Sequence, residues 1–347
     1  MTQSDAAPDG GVAGRISMQE VAKRAGVAPS SVSRVLSGHP NVSAVMRNRV
    51  IDAVAALGYE PDLLAQSLRR GESMTVGFVV ANISNPLISE IALGAETFLR
   101  TSGYSMLLTN SMNSPALDAE HIRLLTQRRV DGLLLSVSSE VHRGTIEAVN
   151  KSGVPVVLVD RELDVDRPVS AVIAEHATGI TGAVQHLAVL GHRKIALVNG
   201  PSDLRPARDR ATTLRKVARQ LGISAVVRSG EFTMEHGERA TEALLNEKDA
   251  PTAIVAGSNQ ILVGVLKVLR RRRLDIPNAI SLVTCDEIPL AEFLMPPLAT
   301  IERDHYKMGI LAAELLLDLL SGSEPRIQAV PTSYLRTDSV GPVPNNR

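Results

Sequence analysis

Between residues 18 and 38 the sequence reads MQEVAKRAGVAPSSVSRVLSG, and its polar residues fall in an order that suits contact with a nucleic acid. Val32, Val35 and Leu36 share one helical face, which leaves Ser30, Ser31, Ser33 and Arg34 at or near the other. Short hydroxyls beside one guanidinium approach base edges and phosphates closely. Gly26 interrupts the pattern where a tight turn needs positive φ, and Pro29 suits the first turn of a second helix, where a missing N–H costs nothing. The spacing predicts a helix-turn-helix. The plainer reading is a small helical domain with a solvated polar face. Eight Lys/Arg against four Asp/Glu over residues 15–70 favour the first reading.

Other chemistry finds little support. No GxxxxGK[ST], GxGxxG or GxSxG motif occurs, so nucleotide hydrolysis, dinucleotide binding and the common serine-hydrolase scheme lose their main sequence signals. The reading is of a protein that is not an enzyme and needs no cofactor. His186 and His192 lack the spacing of a metal pair, and His192 reads as structural, at the start of a strand. Cys285 sits in an apolar run and reads as a small core residue rather than a nucleophile. The run Arg270–Arg273 reads as a solvated helix end, favoured by the helix dipole, rather than as a second nucleic-acid patch.

The elements that position these groups follow from composition. The 347 residues hold 37 Lys/Arg, 37 Asp/Glu, one Cys and no Trp, which describes two or three domains with sizeable cores and no internal disulfide. Apolar runs such as 154–159 are far short of a bilayer span, and residues 1–14 lack the basic start and apolar core of a secretory signal, so a cytoplasmic protein is expected. Those first 14 residues read as a disordered tail. Residues 15–60 carry helical periodicity for three short helices, and 61–73 read as a linker with a conditional helix. From 74 onward short β-rich runs alternate with helical patterns, as in TVGFVVA, DGLLLSV, VPVVLVD, KIALVNG, TAIVAGS and AISLVTCD, which predicts an α/β core of two parallel sheets side by side. The expected lobes are 74–168 with 302–330, and 169–301 with the C-terminal segment. Ligands of open α/β sheets bind beyond the carboxyl ends of the strands, so both lobes would direct loops into a shared cleft.

The series AGVxxSSVSRVL, NVS at 41–43, LGYEPD at 57–62, SNP at 84–86, RRVDGL at 128–133, VPVVLVDR at 154–161, LGHRKIA at 190–196 and PPLATI at 296–301 resembles the LacI/GalR family of bacterial transcriptional regulators. The resemblance runs from residue 15 to about 340. It implies an N-terminal headpiece, a hinge helix, a core like that of periplasmic sugar-binding proteins, and a homodimer. The absence of leucine heptads before Arg347 argues against a tetramer. Carried over by position, Pro29 and Ser30 begin the recognition helix, Arg34 follows one turn later, and Asn41 falls at a phosphate-contacting loop position. In the hinge segment Ala65 and Leu68 are implied DNA contacts, with Leu68 the wedge that enters the minor groove of a palindromic operator. Packing between paired hinge helices is the plainer role of Leu68, and the two are compatible. A helix this short is marginal in water and should form only with DNA and its partner helix.

For the cleft the resemblance selects Leu87, Ile88, Ser136, Asp160, Arg210, Phe232, Ser258, Asn259, Gln260 and Asp286, all expected at strand ends or in the loops after them. Arg210 offers a donor fork and Asp286 an acceptor pair for hydroxyls or an acid group, although a salt bridge tying loops together would use the same residues. Several positions depart from the family. GlySerAsn at 257–259 replaces the usual AlaAsnAsp, Glu175 and His176 replace a common AspAsn pair, and Leu87 and Ile88 stand where aromatics are common. The pocket therefore looks less sugar-like, and a sugar, a sugar acid, another small metabolite, or no effector at all stays open. The resemblance implies a regulator, most simply a repressor, that binds double-stranded operator DNA under effector control. The competing class is a cytoplasmic solute-binding or sensory protein with a vestigial headpiece. An intact SSVSR helix counts against it.

Overall fold

The computed structural model describes residues 16–59, 71–286 and 293–343. The chain divides into two compact units between Ser73 and Met74.

In the first unit, helices α1 (Met18–Ala25), α2 (Pro29–Leu36) and α3 (Ala44–Leu57) enclose a core of Val21, Ala22, Ala25, Val32, Val35, Val50, Ala53 and Tyr59. Local signals start and stop each helix. The Ser17 hydroxyl accepts from the Glu20 N–H at 3.3 Å while the Glu20 carboxylate accepts from the Ser17 N–H at 2.7 Å, a reciprocal cap on two otherwise orphaned donors. Gly26 ends α1 at φ +63°, and a Cβ there would lie 2.5 Å from Arg49 Nη2. Ser43 caps α3 by accepting from the Met46 N–H.

The second unit carries two six-stranded sheets. Elements of the first lobe are β1 (Thr75–Val80), α4 (Pro86–Thr101), β2 (Ser105–Asn110), α5 (Pro115–Gln127), β3 (Gly132–Ser136), α6 (Arg143–Lys151), β4 (Val156–Val159) and β5 (Ser170–Glu175). The second lobe continues with α7 (His176–Val189), β6 (Lys194–Asn199), α8 (Arg205–Leu221), β7 (Ser224–Ser229), α9 (Met234–Leu245), β8 (Ala253–Ala256), α10 (Asn259–Arg271), β9 (Ser281–Cys285) and β10 (Ala299–Glu302). The chain then returns to the first lobe for α11 (His305–Leu320) and β11 (Ile327–Pro331), and ends its described strands in the second with β12 (Ser333–Leu335). The sheet orders are β11-β5-β4-β3-β1-β2 and β12-β10-β9-β8-β6-β7. All described pairings are parallel except β10 with β12. The central strands β3, β4, β8 and β9 are buried throughout because helices cover both faces, which is why they read as unbroken apolar runs.

One expected boundary moves. The pattern puts residues from 169 in the second lobe, yet β5 pairs with β4 in the first sheet, with Leu158 opposite Ala171. SAVIAE is short and follows the turn-rich RELDVDRP, so a loop inside one lobe resembles a border between two. The chain therefore changes lobes after Glu175, again after β10, and a third time between β11 and β12. Helix α11 docks against α4, where Gly94 and Gly309 let the backbones touch. A Cβ at Gly94 would lie 2.1 Å from the Tyr306 carbonyl oxygen.

Candidate functional site

On the headpiece, burial of Val32 and Val35 turns the rest of α2 outward: Pro29, Ser30 and Arg34 are exposed, and Ser31 and Ser33 are half-buried. No side chain caps α2, whose N-cap is Ala28, so an anion can approach its first turn and be favoured by the helix dipole. Asn41 is exposed in the following loop, its N–H donating to His39 Nδ1 at 3.3 Å. Ala65 and Leu68 lie outside the described residues.

The cleft is built on two equivalent turns. Asp160 follows β4 and Asp286 follows β9, the corresponding strand of the other sheet, and both adopt positive φ, +52° and +71°. Each N–H donates to the neighbouring strand, Asp160 to the Val172 carbonyl at 2.7 Å and Asp286 to that of Ile301 at 3.0 Å. The left-handed turn is tolerated by Asp more than by most residues, and it places a buried carboxylate at the carboxyl end of each sheet. Arg303, just after β10, joins them: Nη1 donates to Asp160 Oδ2, while Nε and Nη2 donate to Asp286 Oδ1 and Oδ2 at 3.0 and 3.3 Å. Burial alone would raise both carboxylate pKa values. The Arg303 charge prevails and holds both well below the usual range, while the two carboxylates raise that of Arg303 despite its burial.

Further polar contacts cross between the lobes. Arg205, on α8, donates to Asp160 Oδ1 and to the Ala174 carbonyl, each at 3.2 Å. Buried Glu140 accepts from the Arg205 N–H at 2.9 Å and from Arg208 Nη1 at 2.7 Å, and the Ser139 hydroxyl donates to Asp203 at 2.7 Å. Asn259 Nδ2 donates to Asn85 Oδ1 at 2.8 Å, joining the N-termini of α10 and α4. Behind this seam lies a cavity of about 70 Å³, whose lining includes Leu87, Ile88, Ser136, Phe232 and Ser258. Asp160, Asp286, Arg210 and Arg303 also face it. Arg210 donates through Nη1 to the Gly257 carbonyl at 2.7 Å, stands 3.7 Å from Asp286 through Nη2, and leaves its buried Nε without a partner. His176 is 3.6 Å from Asp160. Burial, then the Arg210 charge, pushes its pKa down to about 4.

Eight of the ten cleft residues selected from sequence thus share one cavity. Asn259 instead spans the lobes, and Gln260 sits half-buried on the first turn of α10, away from the cavity lining. Leu87, Ile88, Arg210, Asn259 and Gln260 project from helices rather than from strand ends or loops, a correction to their expected placement. Sequence reasoning missed Arg303, Arg205 and Arg161, the last of which also lines the cavity and donates through Nε to the Val137 carbonyl at 2.6 Å. The signal for Arg303 is its place directly after a parallel strand, which faces the ligand side, but the four residues ATIE are too short a run to announce that strand. Phe232 owes its position to Gly200, where a Cβ would lie 2.1 Å from the ring.

The residues read as structural behave so. His192 bonds Thr252 Oγ1 at 2.8 Å and the Gly341 carbonyl at 3.0 Å, and burial pushes the Cys285 thiol up to about 11. Arg271 and Arg272 are not merely solvated, because both pair with Glu242 on α9. Among the described residues no helix is long and apolar enough to cross a membrane.

A helix-turn-helix on one unit and a cleft between two parallel sheets on the other define a DNA-binding regulator with a small-molecule-binding core. Residues 17–62 match the model for bacterial regulatory proteins of the lacI family, and residues 184–340 that for a periplasmic binding protein-like domain. The chain is 32% identical over 317 residues to the ribose operon repressor of Escherichia coli (strain K12), covering 90% of this chain and 94% of the relative. It is 30% identical over 307 residues to catabolite control protein A of Priestia megaterium, covering 87% and 91%. Among solved structures, the lac repressor dimer bound to operator and the anti-inducer ONPF superposes with a TM-score of 0.84 at 26% identity, covering 94% of this chain and 100% of that one. The regulator CelR in complex with cellobiose gives 0.71 at 29% identity, with 94% and 100% covered. This chain belongs to the lacI family of bacterial regulatory proteins and is a DNA-binding transcriptional regulator.

Proposed function

We propose that the protein is a cytoplasmic repressor without enzymatic activity, whose dimer binds a palindromic operator and whose DNA affinity is set by a small effector in the interlobe cleft. Its parts are a headpiece to about residue 60, a hinge segment over 61–73 and an effector core beyond. Pro29, Ser30, Ser31, Ser33 and Arg34 meet bases and phosphates in the major groove, Asn41 meets phosphate, Ala65 contacts the DNA and Leu68 enters the minor groove. The observation that carries this reading is the polar outward face of α2, held on a buried Val32 and Val35. Support for effector control comes from the cleft, where two strand-end carboxylates from different lobes meet one cation. A ligand that prefers one lobe arrangement shifts the equilibrium between arrangements.

The test is selection of genomic fragments by the purified protein. A two-fold symmetric motif should emerge, with affinity falling steeply as salt rises because phosphate contacts release counterions. Recovery of fragments without symmetry, or binding indifferent to salt, would refute the reading.

A further inference from the structure

The acceptors of the cleft are occupied by the protein itself. Asp160 Oδ1 accepts from Arg205 Nη1 at 3.2 Å and from the Ala174 N–H at 3.1 Å, and Oδ2 accepts from Arg303. Asp286 takes Arg303 on both oxygens and has His305 Nε2 at 3.2 Å from Oδ1. Polyol hydroxyls are gripped by donating to such carboxylates, and guanidinium N–H groups fill those positions here.

What stays unfilled has the opposite polarity. Arg210 is 2% exposed, keeps Nε–H without a partner, and stands through Nη2 3.7 Å from Asp286, a carboxylate that Arg303 already holds on two oxygens. An unpaired buried donor on a charged group is costly, and an anion relieves that cost. The Ser258 oxygen accepts from the Ile261 N–H at 3.2 Å, so its proton remains to be given, and Ser136 adds a second hydroxyl to the same lining.

We infer that the cleft is a receptor for a small carboxylate rather than a neutral sugar, and that Arg303 sets this specificity by occupying Asp160 and Asp286. The inference rests on the effector reading above and names its ligand class. The ligand carboxylate accepts from Arg210 Nε–H and from the hydroxyls of Ser258 and Ser136. A cavity of about 70 Å³ holds roughly two waters, so acids longer than two or three carbons enter only as the lobes part.

The experiment is titration calorimetry on the full chain with three matched pairs: glycolate and ethylene glycol, glycerate and glycerol, ribonate and ribose. Wild type should bind the acid of at least one pair about tenfold or more tightly than its neutral partner. Arg303→Gln, which frees both aspartates, should abolish or invert that preference, and Arg303→Lys, which keeps a cation between them, should retain it. Circular dichroism establishes that each variant is folded, and Arg303→Lys carries the test if Arg303→Gln is not. Equal or tighter binding of the neutral partners by wild type, or an unchanged preference in folded Arg303→Gln, overturns this inference alone. Binding of neither series to any of the three proteins overturns this inference, and the effector reading falls separately if no small metabolite changes the affinity of the full chain for its operator.

Discussion

Asp160 and Asp286 occupy equivalent turns of the two lobes and share a single cation, Arg303, so the carboxyl ends of the two sheets are joined through one side chain. Neither aspartate is the other's partner. Their like charges are tolerated in a buried cleft because the Arg303 guanidinium meets both at once, with Arg205 beside Asp160 and Arg210 beside Asp286 adding to it.

The contact between Glu140 and α8 should control closure. Glu140→Ala leaves the N–H groups of Glu162 and Arg205 and the Arg208 guanidinium without this acceptor, at a cost of about 1–3 kcal/mol for each buried donor not rehydrated. We expect a lower urea midpoint and a larger radius of gyration by small-angle scattering. An unchanged radius would show that the remaining contacts suffice.

Acid should weaken the fold in two stages. Above about pH 6.5, His176 is neutral in both folded and unfolded chains, and its contribution is fully present. Between pH 6.5 and about 4 the unfolded chain takes a proton that the folded one refuses, which removes on the order of 3 kcal/mol. Below about pH 4 the lowered Asp160 and Asp286 add a second loss as the unfolded carboxylates protonate first. Urea midpoints at pH 7.5, 6 and 5 should fall more for wild type than for His176→Gln.

Phe232 can report on the cleft. The chain has no Trp, so Phe232→Trp introduces one fluorophore at the cavity. Its emission should shift when Glu140→Ala is added, as opening wets the indole. Gly200→Ala in the same background should shift it in the same direction, because the new Cβ displaces the ring. Identical spectra would place the ring elsewhere.

The headpiece separates folding from reading. Gly26→Ala meets both a φ of +63° and the Arg49 guanidinium, so it should destabilise the unit by about 1 kcal/mol or more and weaken DNA binding with it. Arg34→Ala removes an exposed group and should cost about 1–3 kcal/mol of operator affinity with no change in melting. Equal effects of Arg34→Ala on affinity and melting would make Arg34 structural.

What the residues determine by themselves is local. The turn at Gly26, the proline at α2 and the alternation of apolar runs with amphipathic stretches are all encoded within a few positions of one another and formed as read, and the caps at Ser17 and Ser43, which the structure adds, are equally local. The same locality placed Asp160 and Asp286 at strand ends. Long-range pairing was decided only by the tertiary structure. Strand β5 could not be assigned to a lobe from its own residues, because an apolar run reports that it is buried and not which sheet buries it. Arg303 reads as one more charge after an unrecognised strand. Its meaning depends on Asp160, 143 positions earlier, reached only when the chain has crossed between lobes and both sheets have brought their carboxyl ends to the same cleft.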